Sequence, residues 1–143
     1  MRIRRSRTVL IAVVGMLAVA AIAVAKSATI GVGRVDVHHH KESVAVNAKG
    51  VTIYELGPET SHHLVCKSQA CFAVWPPVKA KGAVTKMAGV SGKIGTIKRG
   101  GFTQVTLNGK PVYTFVEDGG RRGEAEGDGI RNFGGVWHVF KER

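Results

Sequence analysis

The chain repeats itself, and that limits its fold more than any other feature. Val46-x-x-x-Gly50-x-x-Ile53-Tyr54 aligns with Val105-x-x-x-Gly109-x-x-Val112-Tyr113 at a constant offset of 59 residues. Each tyrosine is followed by a hydrophobic residue, Leu56 or Phe115, and at the same offset by an acid, Glu59 or Asp118. About 20 residues further on, each copy carries a tryptophan, Trp75 or Trp137. An internal duplication of roughly 50–60 residues accounts for all of these at once. Two half-formed sheets can then cover each other's apolar faces. The expected fold is all-β, a small barrel or sandwich of two related hairpin-containing halves. Nineteen glycines in 143 residues, without a collagen triplet, suit many tight turns.

The local patterns are strand-like. Val44, Val46 and Ala48 alternate with polar or small neighbours before Gly50 turns the chain into Val51–Tyr54. Phe102–Leu107 ends at Asn108-Gly109, a strong two-residue hairpin signal, and Lys110–Phe115 runs back. Gly135–Phe140 alternates again. Only Ala80–Val90 could hold a helical turn or two, and its glycines oppose a long one. Residues 26–42 are small, polar and glycine-punctuated, and read as a linker, which sets the start of the core near Ser43. The domain is then 43–143, with repeats at about 43–100 and 101–141.

The N-terminus places the protein. Arg2, Arg4, Arg5 and Arg7 precede an uncharged apolar run from Thr8 to Ala25, the pattern of an export signal or a membrane anchor. This run predicts an N-terminal hydrophobic helix. Ala23-Val24-Ala25 offers small residues for cleavage, while the length of 18 residues also suits a span. Four arginines hold the N-terminus in the cytoplasm, so the remainder faces outward, secreted or tethered to the outer face of the membrane. The net charge is +11, and beyond residue 25 there remain 17 basic and 10 acidic residues. These charges are scattered, without the clustered stripe of a nucleic-acid binder. They suit anionic lipid or a wall polymer instead.

Four motifs, in order, resemble the bacterial family called the secreted repeat of unknown function. Tyr113-Thr-Phe115-Val-Glu-Asp118 resembles its Tyr-x-aromatic-x-x-Asp motif, and Cys66–Pro77 (CKSQACFAVWPP) its cysteine-to-Trp-Pro-Pro segment. Asn108-Gly-Lys-Pro-Val-Tyr113 resembles its second hairpin, and Gly127–Trp137 its closing glycine-rich turn and strand. The resemblance spans about residues 43–140. It implies an exported protein, since members are often lipoproteins, and it implies no reaction. The chain departs from the family in lacking a cysteine just after the apolar run and in reading YELGPE in its first copy.

The candidate site residues fall into three groups. Cys66 and Cys71, in an oxidising compartment, suit a local disulfide. With His62 and His63 they alternatively offer four nitrogen and sulfur ligands for zinc or copper. His38, His39 and His40 could bind a metal loosely. Tyr54, Glu59, Trp75, Tyr113, Phe115, Asp118 and Trp137 form the repeated motif, read as architectural: Tyr113 and Phe115 face the core, and Asp118 accepts backbone N–H groups of the following turn. Glu59 is expected to be its weaker counterpart. No nucleophile elbow, paired-histidine zinc motif or phosphate loop occurs. The expected function is that of a non-catalytic, exported cell-envelope module binding a wall polymer or protein partner. The alternative is an extracytoplasmic metal-binding or electron-handling protein.

Overall fold

The computed structural model describes residues 29–143. The expected hydrophobic helix over residues 8–25 lies outside them. Eight strands are present: β1 (Ile30–Val37), β2 (His40–Asn47), β3 (Tyr54–Leu56), β4 (Ile94–Arg99), β5 (Phe102–Leu107), β6 (Lys110–Pro111), β7 (Arg131–Asn132) and β8 (Gly135–Val139). They form three small antiparallel sheets, ordered β1-β2, β3-β8-β7 and β4-β5-β6. The all-β expectation holds. A barrel does not: among the described residues no sheet closes, because short strands are joined across the sheets by isolated bridges.

The linker reading of residues 26–42 is corrected from Ile30 onward. β1 pairs with β2 along its whole length, from Ile30↔Asn47 to Val37↔His40. Ile30, Val35 and Val37 are buried. The two glycines that suggested a linker are places of close approach. A Cβ on Gly33 would stand 2.7 Å from Val46 Cγ1, and one on Gly31 would stand 2.7 Å from Met87 Sδ. The hairpin turns at His38 and His39, both with positive φ, 50° and 68°. Asp36 Oδ1 accepts the His39 N–H at 2.8 Å and helps hold that turn.

β4 and β5 form the equivalent hairpin, turning at Gly100-Gly101, from Ile94↔Leu107 to Arg99↔Phe102. The two turns are 62 residues apart, as are Trp75 and Trp137. The structural repeats therefore begin at Ile30 and Ile94, earlier than the 43 and 101 read from the tyrosine register. The Asn108-Gly109 turn appears as expected, with φ of 54° and 72°, joining β5 to β6 at Leu107↔Lys110. The one α-helix among the described residues, α1 (Gln69–Val74), lies within the cysteine segment and not in 80–90. Ser68 caps it by accepting the Cys71 N–H at 3.1 Å, and it ends just before Pro76-Pro77.

The two repeats are interlocked rather than stacked. The segment after Trp75 joins the second hairpin: Val105 N–H donates to Val78 at 2.8 Å, and Ala80 N–H donates to Thr103 at 2.9 Å. The segment after Trp137 joins the first: Ala45 N–H donates to Phe140 at 2.9 Å, and Glu142 N–H donates to Ser43 at 2.8 Å. Where the halves meet, Tyr54 and Tyr113 exchange backbone hydrogen bonds of 2.8 and 3.0 Å. Each half thus completes its hairpin with the tail of the other. Both apolar clusters follow this exchange, one uniting Ile30, Ala45 and Ile53 with Val105, Leu107 and Val112.

Candidate functional site

The repeated motif forms the centre of the molecule. Trp75 and Trp137 stack with ring centroids 3.9 Å apart and planes 8° from parallel. Their indole N–H groups share one acceptor, Asn132 Oδ1, at 3.1 and 2.7 Å. Phe115 stacks on Trp75 at 4.4 Å. Tyr54 meets Trp75 edge-on at 5.4 Å, and Tyr113 meets Trp137 at 5.1 Å. Tyr54, Trp75, Tyr113 and Trp137 are all fully buried, so they serve as core.

The tyrosines and acids are paired across the halves. Tyr54 OH donates to Asp118 Oδ2 at 2.7 Å, and Tyr113 OH donates to Glu59 Oε2 at 2.7 Å. The other oxygen of each carboxylate holds a loop of its own half. Asp118 Oδ1 accepts the Glu126 N–H at 3.0 Å. Glu59 Oε1 accepts the N–H groups of Val65 at 2.9 Å and Cys66 at 3.1 Å. Glu59 therefore takes three donors and Asp118 two, which reverses the expectation that Glu59 is the weaker partner. Asp118 also ends a 3₁₀ turn, Val116–Asp118, rather than a strand.

The surroundings of the two pairs differ in charge. Beside Tyr113, the buried Arg99 donates through Nη1 to the phenol oxygen at 3.2 Å and to Gln104 Oε1 at 2.8 Å. Its Nη2 donates to the carbonyl of Cys66. Beside Tyr54 the corresponding donor is only the Gly127 N–H, at 3.3 Å. Burial pushes the Asp118 carboxyl above the usual range, while the Tyr54 hydroxyl and the Glu126 N–H act the other way. Burial, reinforced by the facing carboxylate, pushes both phenols well above the usual tyrosine value. The unfolded chain ionises its tyrosines near the ordinary value of about 10. The stability contributed by the two phenols is thus fully present below that pH and is lost as pH rises beyond it.

Cys66 and Cys71 lie at bonding distance, with Cα atoms 5.7 Å apart, and α1 begins inside the closed loop. The bridge commits both sulfurs, leaving no thiolate for a metal shared with His62 and His63. Those two histidines are exposed in a turn closed by Thr60. On the chain-entropy argument so short a loop is worth roughly 2 kcal/mol, held next to the backbone that clamps Glu59. His39 and His40 are exposed. His38, also exposed, reaches Asp128 Oδ2 through Nε2 at 3.0 Å, and His138 Nδ1 stands 4.0 Å from Asp128 Oδ1. Among the described residues, no three His, Cys, Asp or Glu side chains converge as a metal site. The sequence reading missed Arg99, Asn132 and Gln104. Each stands next to another polar residue, Lys98, Arg131 or Thr103, so nothing in the sequence singles it out, and only the buried partners explain it.

Residues 95–141 match the family described as a secreted repeat of unknown function. The match begins within β4 and ends at Lys141, so it covers the second structural repeat almost completely. The first repeat lies outside the matched segment. Its likeness to that family rests on the motifs named above and on the equivalence of its hairpin, tyrosine, acid and tryptophan to those of the matched one. No curated protein and no solved structure matches the chain. The secreted-repeat match agrees with an extracytoplasmic location. Among the described residues, no helix is long and apolar enough to cross a membrane.

Proposed function

We propose that the protein is an exported, non-catalytic module of the cell envelope that acts by binding an anionic wall polymer. One observation carries this reading: three acids, Glu59, Asp118 and Glu142, are buried, whereas Arg99 is the only buried lysine or arginine among the described residues. Glu59 and Asp118 are consumed by the buried tyrosine pairs, and Glu142 is buried accepting from Ser91 at 2.7 and 2.5 Å. Seven lysines, at 49, 67, 79, 81, 86, 93 and 98, are exposed. Among the described residues none of them pairs with a carboxylate. Dispersed cations on a rigid core suit a long, flexible polyanion that touches the surface at several points. The buried Tyr54, Tyr113, Glu59 and Asp118 are each satisfied by a structural partner. The secreted-repeat match is consistent with such a module.

Co-sedimentation with isolated anionic wall polymer tests the reading. Binding is expected at low ionic strength and should weaken progressively as salt is raised from tens to hundreds of millimolar. An absence of binding at low salt, or binding indifferent to salt, would contradict it.

A further inference from the structure

We propose that a lysine-lined cleft beside the start of β1 docks the domain onto the anionic headgroups of the membrane surface. The cleft has a volume of about 500 Å³. It lies between the turn after β2, which contributes Lys49, and the segment after Trp75, which contributes Lys79 and Lys81. Pro77, Val78 and Thr29 complete the part that matters here. The position of Lys79 is set by Phe102, whose ring centroid lies 4.9 Å from its Nζ. Arg122 adds a fourth cation beside Lys49, donating through Nε to the Lys49 carbonyl at 2.9 Å.

Charge alone would admit any polyanion; the path of the chain selects lipid. Thr29 lines the cleft and is only four residues beyond Ala25, the last residue of the apolar run. Four peptide units span at most about 14 Å. With residues 8–25 in the bilayer, the cleft therefore stands within one to two Debye lengths of the headgroups, where lysines are strongly attracted to anionic lipid. This inference does not depend on the wall-polymer reading, which concerns cations spread over the whole surface.

Amide hydrogen exchange of the full chain in nanodiscs tests it. Segments 47–49 and 77–83 should exchange about tenfold more slowly in discs containing phosphatidylglycerol than in discs of phosphatidylcholine alone. The difference should vanish in high salt and in the triple variant Lys49→Glu, Lys79→Glu, Lys81→Glu. The double variant Lys49→Gln, Lys81→Gln, which leaves the Lys79–Phe102 contact intact, should lose most of it with unchanged exchange in the core. Equal exchange in the two lipids, or protection that survives in both variants, overturns the proposal. So does protection of these segments by added wall polymer but not by phosphatidylglycerol, which would leave the wall-polymer reading standing.

Discussion

A polypeptide of residues 95–141, the segment matched by the secreted-repeat family, is expected to be unfolded as a monomer. Cut from its partner repeat it keeps the β4–β5 hairpin and the Asn108-Gly109 turn. It loses the segment 78–80 that pairs with β5, and Phe140 loses Ala45, to whose N–H its carbonyl is bound. Tyr113 loses Glu59, and Trp137 loses the stacked face of Trp75. What remains is the small β4-β5-β6 sheet, whose last strand is two residues long, and the β7–β8 hairpin, with their apolar faces uncovered in a chain too short to build a separate core. Circular dichroism and tryptophan fluorescence should report an unstructured chain. Adding residues 29–94 should restore the folded signal, because that fragment supplies every missing partner. A folded monomer of 95–141 would show that the repeat is self-sufficient and that the exchange of tails is incidental.

Replacing Glu59 by alanine is the single substitution expected to cost most at the motif, about 3 kcal/mol or more. It strips the acceptor from three donors at once, the Tyr113 hydroxyl and the Val65 and Cys66 N–H groups. It also leaves the Arg99 guanidinium facing Tyr113 with no nearby carboxylate to offset its charge. Against the 5–15 kcal/mol typical of a folded domain, such a loss is a large fraction of the whole. Glu59→Gln keeps an oxygen for the two backbone donors and should cost only about 1–2 kcal/mol. Asp118→Ala, which frees two donors instead of three, should fall between them. Urea unfolding with the disulfide intact gives the ranking. A Glu59→Ala protein within half a kcal/mol of the parent, at about the precision of the method, would mean that water or another group replaces the carboxylate.

The motif was legible in the sequence because its parts recur at fixed spacing. The Tyr54/Tyr113 and Glu59/Asp118 registers, the two tryptophans and the Asn108-Gly109 hairpin all stand where the pattern placed them. The cysteine pair is bridged as its setting suggested. The exchange between halves was not legible. Tyr54 and Asp118 are 64 residues apart, and no local pattern distinguishes a tyrosine bonded to its own repeat's acid from one bonded to the other's. β1 was hidden for a different reason. Its glycines mark close packing against Val46 and Met87, and its turn uses histidines at positive φ, where glycine or asparagine is the usual signal. α1 was masked by the two prolines after it. Ser68 at its start was the available cue.

Each tyrosine is bound to the acid of the opposite repeat inside a shared, buried core. The chain has only two tyrosines, so ζ-carbon NMR of selectively labelled protein reads the two sites separately, each assigned by its Tyr→Phe variant. As pH is raised through 10 and beyond, neither resonance should titrate before the protein unfolds. Asp118→Asn should move the Tyr54 resonance and leave Tyr113 in place, while Glu59→Gln should do the reverse. Two phenols that ionise near the ordinary value of about 10 in a folded protein, or an Asp118→Asn variant that moves Tyr113 instead, would contradict the account.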